Sequence, residues 1–130
     1  MEKFEIETAD GADSFRPGQA LEGTVRWNLQ ENPESIEVSL CWHTAGKGTE
    51  DVGVVETLRF EAPGSLGAKD FRFELPAGPY SFSGSLISII WAVEAAAWPM
   101  GETVKRQIIV SPTGKEIVAT GGRSGPDASE

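Results

Sequence analysis

Apolar and polar residues alternate with a period of two along most of this 130-residue chain. Successive side chains of a β-strand point to opposite faces, so the alternation predicts strands that bury one face and expose the other. No segment shows a helical period long enough to compete with this pattern. The inward positions of the predicted strands are Phe4 and Ile6; Leu21, Gly23, Val25, Trp27 and Leu29; Ile36, Val38, Leu40 and Trp42; Val52, Val54, Leu58 and Phe60; Phe71, Phe73 and Leu75; Ile87, Ile89, Trp91, Val93 and Ala95; and Val104, Ile108 and Val110.

Turn-forming residues separate these segments. The chain has 15 Gly and 8 Pro, and pairs such as Asp10-Gly11, Pro17-Gly18 and Pro63-Gly64 fall between the alternating runs, where tight turns need them. At least seven short strands joined in this way predict an all-β fold, an immunoglobulin-like antiparallel β-sandwich. We expect one domain over residues 1–112 and a C-terminal extension over residues 113–130, largely disordered from about residue 121.

The charge of the chain narrows the range of partners. With 20 acidic and 11 basic residues, the formal net charge is -9. A surface of this sign repels the phosphates of nucleic acids and anionic lipid headgroups, and the basic patch that nucleic-acid binding requires is missing. We therefore expect no nucleic-acid partner and no direct insertion into a membrane.

The N-terminal residues and the cysteine content indicate a compartment. Cys41 is the one cysteine in the sequence, so no internal disulfide can form. The first residues contain no apolar run long enough for a signal peptide, and no stretch approaches the roughly 18 apolar residues of a membrane span. These observations favour a cytoplasmic protein.

Three passages stand out for the order in which they occur. In residues 15–25, a Pro-Gly turn leads into a strand with a central glycine; Leu75-Pro76 is followed by Pro-Tyr-Ser-Phe-Ser-Gly over residues 79–84, and then by Ile-Ile-Trp-Ala-Val-Glu-Ala over residues 89–95. Together they resemble the arrestin family, which carries such a turn and strand, a Leu-Pro…Pro-x-Ser-Phe-x-Gly passage and an Ile-x-Tyr-x-Val-x-Ala strand. The resemblance spans about residues 4–110 and implies a single arrestin N-domain-like module.

Arrestins and their relatives pair two such sandwiches and act as adaptors between membrane proteins and trafficking machinery. The resemblance therefore implies a non-enzymatic protein-binding adaptor or scaffold that needs no cofactor. The phosphate sensor of animal arrestins uses adjacent lysines on the first strand, whereas here Lys3 stands among Glu2, Glu5 and Glu7. Phosphopeptide recognition is therefore not expected, and none of the family's functional residues is carried over to this sequence.

Two alternatives concern the binding mode. A β-sandwich can bind carbohydrate by stacking exposed aromatic side chains on sugar rings, but Trp27, Trp42 and Trp91 all fall on inward positions. A homodimer can form when two copies pair along an exposed edge strand.

Cys41 and His43 are the residues best suited to catalysis. Alternation puts them on the same face of one strand, with Cα atoms about 7 Å apart. A Cys-His nucleophile pair needs hydrogen-bond contact and a third group that orients the histidine, and two ligands cannot close a zinc shell. We therefore predict an outward-facing, reagent-accessible Cys41 thiol, and neither a catalytic nor a metal site.

Other patterns have simpler structural explanations. Asp10 and Asp13 flank Gly11 as in a turn between strands and lack the acidic register of a calcium loop. Residues 46–49, Gly-Lys-Gly-Thr, lack the earlier glycine and the following helix of a phosphate loop, so a hairpin loop is predicted there.

Glu56 and Arg106 are charged residues at inward positions of two strands. Either the two form a buried ion pair, or a β-bulge turns one of them toward solvent. The sequence leaves both alternatives open.

Trp98 and Met100 supply the candidate partner-binding site. They lie at a turn, where polar residues are usual, and Ile90 lies on the outward face of the strand before it. Aromatic residues and methionine are enriched where interfaces concentrate their binding energy. We expect Trp98, Met100 and Ile90 to form a patch that binds a protein partner; the alternative is that Trp98 folds back as a lid over the open end of the sandwich.

Overall fold

The computed structural model describes residues 2–46, 50–84, 87–113 and 115–118. Seven of the strands in this part of the chain are those that the alternation predicts, and β2, β7 and β10 are two-residue strands, too short for a period to show. The strands are β1 (Lys3–Thr8), β2 (Ser14–Phe15), β3 (Ala20–Asn28), β4 (Ser35–Gly46), β5 (Val52–Glu61), β6 (Leu66–Glu74), β7 (Phe82–Ser83), β8 (Ile87–Trp98), β9 (Glu102–Val110) and β10 (Ile117–Val118).

The strands form two sheets that face each other across one core. The first sheet has the order β1-β3-β6, and the second runs β5-β4-β8, with β7 and β9 both paired to the far side of β8. The long strands pair antiparallel as predicted, whereas β2 pairs parallel with β9 and β10 pairs parallel with β7. The fold is an all-β sandwich with mixed sheets.

The second sheet continues beyond residue 112, where the sequence suggests that the domain ends. β10 lies beside β7, and the Ile117 N–H donates to the Ser81 carbonyl at 3.3 Å. The predicted disorder from about residue 121 falls outside the described residues.

The core consists mostly of inward positions that the alternation identifies. Val52, Val54 and Ile87 are exceptions: all three are exposed, and the register shift between Leu40 and Cys41 puts Val54 and Val52 on the face of Cys41 and His43. Trp27 and Trp91 are buried, and their indole N–H groups donate to the carbonyls of Gly64 at 3.0 Å and Pro79 at 2.8 Å. Trp42 is partly buried against the same cluster. The prediction of a tryptophan-rich layer between two sheets is therefore confirmed.

The connection from β5 to β6 crosses from one sheet to the other. It consists of residues 62–65, and Ala62 and Gly64 adopt the left-handed backbone region, with φ of 47° and 81°. β5 ends the second sheet and β6 ends the first, so within the described residues neither strand has a neighbour on its outer side. The four-residue connection therefore joins the free edge of one sheet to the free edge of the other.

Candidate partner-binding site

A cleft of about 650 Å³ lies between β5 and the three-stranded sheet. Leu58 and Phe60 of β5 form one wall, and Phe71 of β6 lies opposite them. The other lining residues are Glu7, Thr8 and Ala9; Glu22, Gly23 and Thr24; and Asp70 and Arg72. We refer to this space as the β5–β6 cleft.

Gly23 makes room for the aromatic wall of the cleft. A Cβ atom at this inward position of β3 would lie 2.6 Å from Cζ of Phe71 and closer still to the backbone oxygen of Glu7. The missing side chain therefore allows the Phe71 ring to lie across β3. This glycine is the central glycine of the first arrestin-like passage.

The backbone of β6 offers unused hydrogen-bonding groups at the cleft. The Leu29 N–H donates to the Ser65 carbonyl at 2.7 Å, and the Leu75 N–H donates to the Gln19 carbonyl at 3.0 Å. Antiparallel ladders alternate, so the odd-numbered residues of β6 face β3. The even-numbered residues direct their N–H and C=O groups to the open edge: Leu66, Ala68, Asp70, Arg72 and Glu74.

β5 presents a second, less regular edge. The Ala62 N–H donates to the Glu34 carbonyl at 2.9 Å, so the residues of β5 that alternate with it face β4. The register shifts between Leu40 and Cys41, which leaves Val55 as the extra residue of a β-bulge. Bulges break the repeat that a pairing strand needs, so β6 is the better template for an added strand.

Acidic side chains outnumber basic ones in and beside the cleft. Glu7, Glu22 and Asp70 line it, and Glu56 and Glu74 lie two residues from the lining residues Leu58 and Arg72 on the same strands; we call these five carboxylates the rim. Glu56 and Glu74 are exposed, and no ion pair involves either of them within the described residues. Asp70 accepts a hydrogen bond from the Thr24 hydroxyl at 2.8 Å. Glu22 is paired with Arg72 at 2.7 Å, and Glu7 is paired with Arg26. Asp70, Glu56 and Glu74 then face the single charge of Lys69, so the excess at the rim is negative.

Lys69 contacts the aromatic wall of the cleft. It occupies an inward position of β6, and its Nζ lies 5.9 Å from the centroid of the Phe60 ring on β5. That distance is within the range of a cation–π contact. The face of the Phe60 ring can therefore bind an ammonium group.

The buried Glu56–Arg106 pair is not formed. Leu40 lies opposite Glu56 and Val93, and Val93 lies opposite Arg106, so three interstrand spacings, about 14 Å, separate the two charges. Arg106 instead points a guanidinium N–H toward the Gly11 carbonyl at 3.5 Å. A β-bulge does lie next to Glu56, but it moves Val54 and Val52 to the outer face, opposite Cys41 and His43. Glu56 keeps its place opposite Leu40 and is exposed on the edge strand β5.

Trp98, Met100 and Ile90 do not form the single surface patch that the sequence predicts. Trp98 is 44% exposed at the end of β8, while Met100 packs against the core cluster. Ile90 lies eight residues before Trp98 on the same strand, so roughly 27 Å separates them. Ile90 therefore belongs to a different surface, beside His43 and the exposed Val52.

The prediction of an accessible Cys41 thiol is wrong. The side chain is 6% exposed, and its Sγ lies 3.6 Å from the Ala92 carbonyl. Desolvation by burial, with a smaller contribution from the nearby Glu94 carboxylate, raises the pKa of the Cys41 thiol to about 12. The strand register is as predicted, because Cys41 and Ala92 lie outside the core cluster that holds Trp91. The thiol is nevertheless buried, on a strand that has neighbours on both sides, and Glu94 of β8 lies near it.

Within residues 2–46, 50–84, 87–113 and 115–118, no group of three or more His, Cys, Asp or Glu side chains is placed to hold a metal ion. Nor does that part of the chain include a helix long and apolar enough to cross a membrane. The buried Trp27 and Trp91 cannot act as platforms for a sugar ring.

The two sheets form an arrestin-like β-sandwich. The crystal structure of Spo0M, a sporulation control protein from Bacillus subtilis, is similar to this chain with a TM-score of 0.63 and 19% sequence identity. The similarity covers 85% of this chain and 49% of Spo0M, so the chain spans about half the length of that protein.

A β-glucosidase from Listeria innocua matches less well. Its TM-score is 0.46 at 18% identity, over 89% of this chain and 16% of the enzyme, which is too low to bear on function. No protein-family model matches the sequence, and no curated protein matches it.

Proposed function

We propose that this chain is a non-enzymatic protein-binding module, an adaptor or scaffold, that holds an extended segment of a partner protein in the β5–β6 cleft. The observation that carries the proposal is the free edge of β6 beside an apolar cleft. An extended peptide that adds to a sheet edge gains main-chain hydrogen bonds from the edge and specificity from pockets for alternate side chains.

Both elements of that recognition mode are present. The even-numbered residues of β6 supply donors and acceptors along the edge. Every second side chain of an added strand points inward, toward Leu58, Phe60 and Phe71. The cleft volume falls within the roughly 300–1,000 Å³ usual for sites that enclose a ligand.

The state of the reactive residues supports a non-enzymatic role. At neutral pH, a thiol with a pKa of about 12 is protonated and is a poor nucleophile. Cys41 and His43 lie two residues apart on one face of β4. A cytoplasmic location, a homodimer through an edge strand, and partner contacts by Trp98, Met100 and Ile90 stay predictions.

Selection of random twelve-residue peptides on the full chain tests the proposal. Selected peptides should compete for one site and lose at least tenfold in affinity when Ala68→Pro removes an edge-facing N–H without touching the β3 ladder. Ala68→Val is the matched control, because it keeps that N–H and favours a strand; its affinity should change less than twofold. Failure to select any peptide, or selected peptides that bind Ala68→Pro unchanged, would contradict the proposal.

A further inference from the structure

We infer that the segment bound in the β5–β6 cleft is cationic, with lysine or arginine alternating with apolar residues along an extended strand. The inference rests on the proposed function and assigns the chemistry of its partner. Two independent features of the cleft lead to it: the charge along its rim and the aromatic ring on its wall.

The rim charges favour a positively charged partner. Asp70 and Glu74 lie on the outer face of β6 and on its edge-facing positions, and Glu56 stands exposed on β5. A strand added to β6 brings its own outward side chains directly opposite Asp70, Arg72 and Glu74. The charge of Arg72 is already balanced by Glu22, so the two carboxylates decide which charge is favoured. Opposite charges in such cross-strand pairs stabilise pairing, whereas like charges oppose it. The net charge of -9 attracts the same class of partner from a distance.

The Phe60 ring indicates a place for one cation on the inward side of the segment. Lys69 occupies the ring face in the free chain, at 5.9 Å from the centroid. Both residues are at least partly exposed, so the contact is weak and exchangeable. A lysine or arginine of the partner can replace Lys69 over the ring. Lys69 therefore competes with the partner for the same ring face.

Two synthetic peptides test the inference on the full chain. Both are twelve residues long with valine or leucine at alternate positions; one has lysine and the other has glutamate at the remaining positions. Fluorescence anisotropy in about 50 mM salt should show the lysine peptide binding at least tenfold more tightly. The difference should shrink in about 500 mM salt, where screening is nearly complete beyond a few ångströms.

Variants that remove charges test whether the rim carboxylates are responsible for the preference for the lysine peptide. Glu56→Gln together with Asp70→Asn should weaken the lysine peptide by about fivefold or more, because each substitution removes one rim charge; the amide oxygen of the new asparagine can still accept the Thr24 hydrogen bond. Asp13→Asn with Glu102→Gln removes the same number of charges next to β9 and should change the affinity less than twofold. Lys69→Met should tighten the lysine peptide by about two- to fivefold, which is the weight of an exposed cation–π contact.

The outcomes of these experiments distinguish a failure of the cationic-partner inference from a failure of the proposed function. If selected peptides bind at the Ala68-sensitive edge but the lysine and glutamate peptides bind equally, or the glutamate peptide binds more tightly, the cationic partner is wrong and the module stands. If the rim variants and their controls lose affinity alike, the attraction comes from net charge and the rim has no role. If neither designed nor selected peptides bind, the proposed function itself fails.

Discussion

Gly23 and Phe71 lie directly opposite each other on β3 and β6, and the phenyl ring occupies the space that a side chain at Gly23 would fill. This relationship supports both the core and the cleft. It places an aromatic ring next to a free sheet edge without closing the space in front of it.

Gly23→Ala should therefore destabilise the fold by about 1–3 kcal/mol, the usual cost of overpacking a tight site. The Phe71 ring can shift, but the backbone oxygen of Glu7, which the new Cβ would also meet, cannot do so without disturbing β1. Urea denaturation measures the change. Ala68→Val, which adds apolar atoms at an exposed strand position, should stay within about 0.5 kcal/mol of the parent; equal stability of all three proteins would show that the site is not tight.

Cys41 should resist thiol reagents in the folded chain and react at once after unfolding in urea. Burial keeps the thiol protonated and excludes the reagent. Absorbance with a disulfide reagent at pH 8, with and without urea, follows the reaction. Rapid stoichiometric reaction in native buffer would mean that the outer face of β4 is open.

The stability of the chain should also fall in alkaline solution. Because the folded-state pKa of Cys41 lies above that of the unfolded chain, folding favours the protonated thiol; the contribution is complete below the unfolded pKa and is lost as pH rises toward about 12. The slope for one such group is at most about 1.4 kcal/mol per pH unit. Urea titrations at pH 8 and 10 on the parent and on Cys41→Ala should show a steeper loss in the parent, and parallel losses would contradict the raised pKa.

Substitution of Met100 should lower the free energy of unfolding more than substitution of Trp98. Met100→Ala removes a side chain that packs on the core and should cost about 1–2 kcal/mol, while Trp98→Ala should cost less than about 1 kcal/mol. If Trp98 contributes to association, its removal weakens binding by roughly 2 kcal/mol or more, as for other interface anchors. Thermal denaturation and sedimentation on the same variants measure both quantities. A large loss of stability with unchanged association would make Trp98 a lid.

Alternation predicts most of the side chains that form the core, since the period of two is a direct consequence of strand geometry. It fails for Val52 and Val54, because the β-bulge in β5 changes the face that these two residues occupy. The predicted strand also implies that Ile90 and Trp98 are far apart, because eight residues of extended strand separate them. Burial of Cys41 is different: it depends on Ala92 and Glu94, which reach it only through the pairing of β4 with β8.

The candidate site depends on information that a single sequence does not contain. The cleft exists because β5 and β6 are the edge strands of two different sheets. The order of strands in a sheet is set by pairing between distant parts of the chain, which the alternation does not reveal. Gly23 is visible in the sequence as an interruption of an apolar row, and its role appears only when Phe71 is placed opposite it.

Amide hydrogen exchange along β6 is the most direct test of strand addition. In the free chain the amides of Ala68, Asp70 and Arg72 face the open edge and should exchange rapidly, whereas those of Lys69 and Phe71 are held in the β3 ladder. Saturation with the lysine peptide should slow the even-numbered amides by at least tenfold and leave the odd-numbered ones protected as before. Saturated binding with unchanged exchange at Ala68, Asp70 and Arg72 would contradict the account.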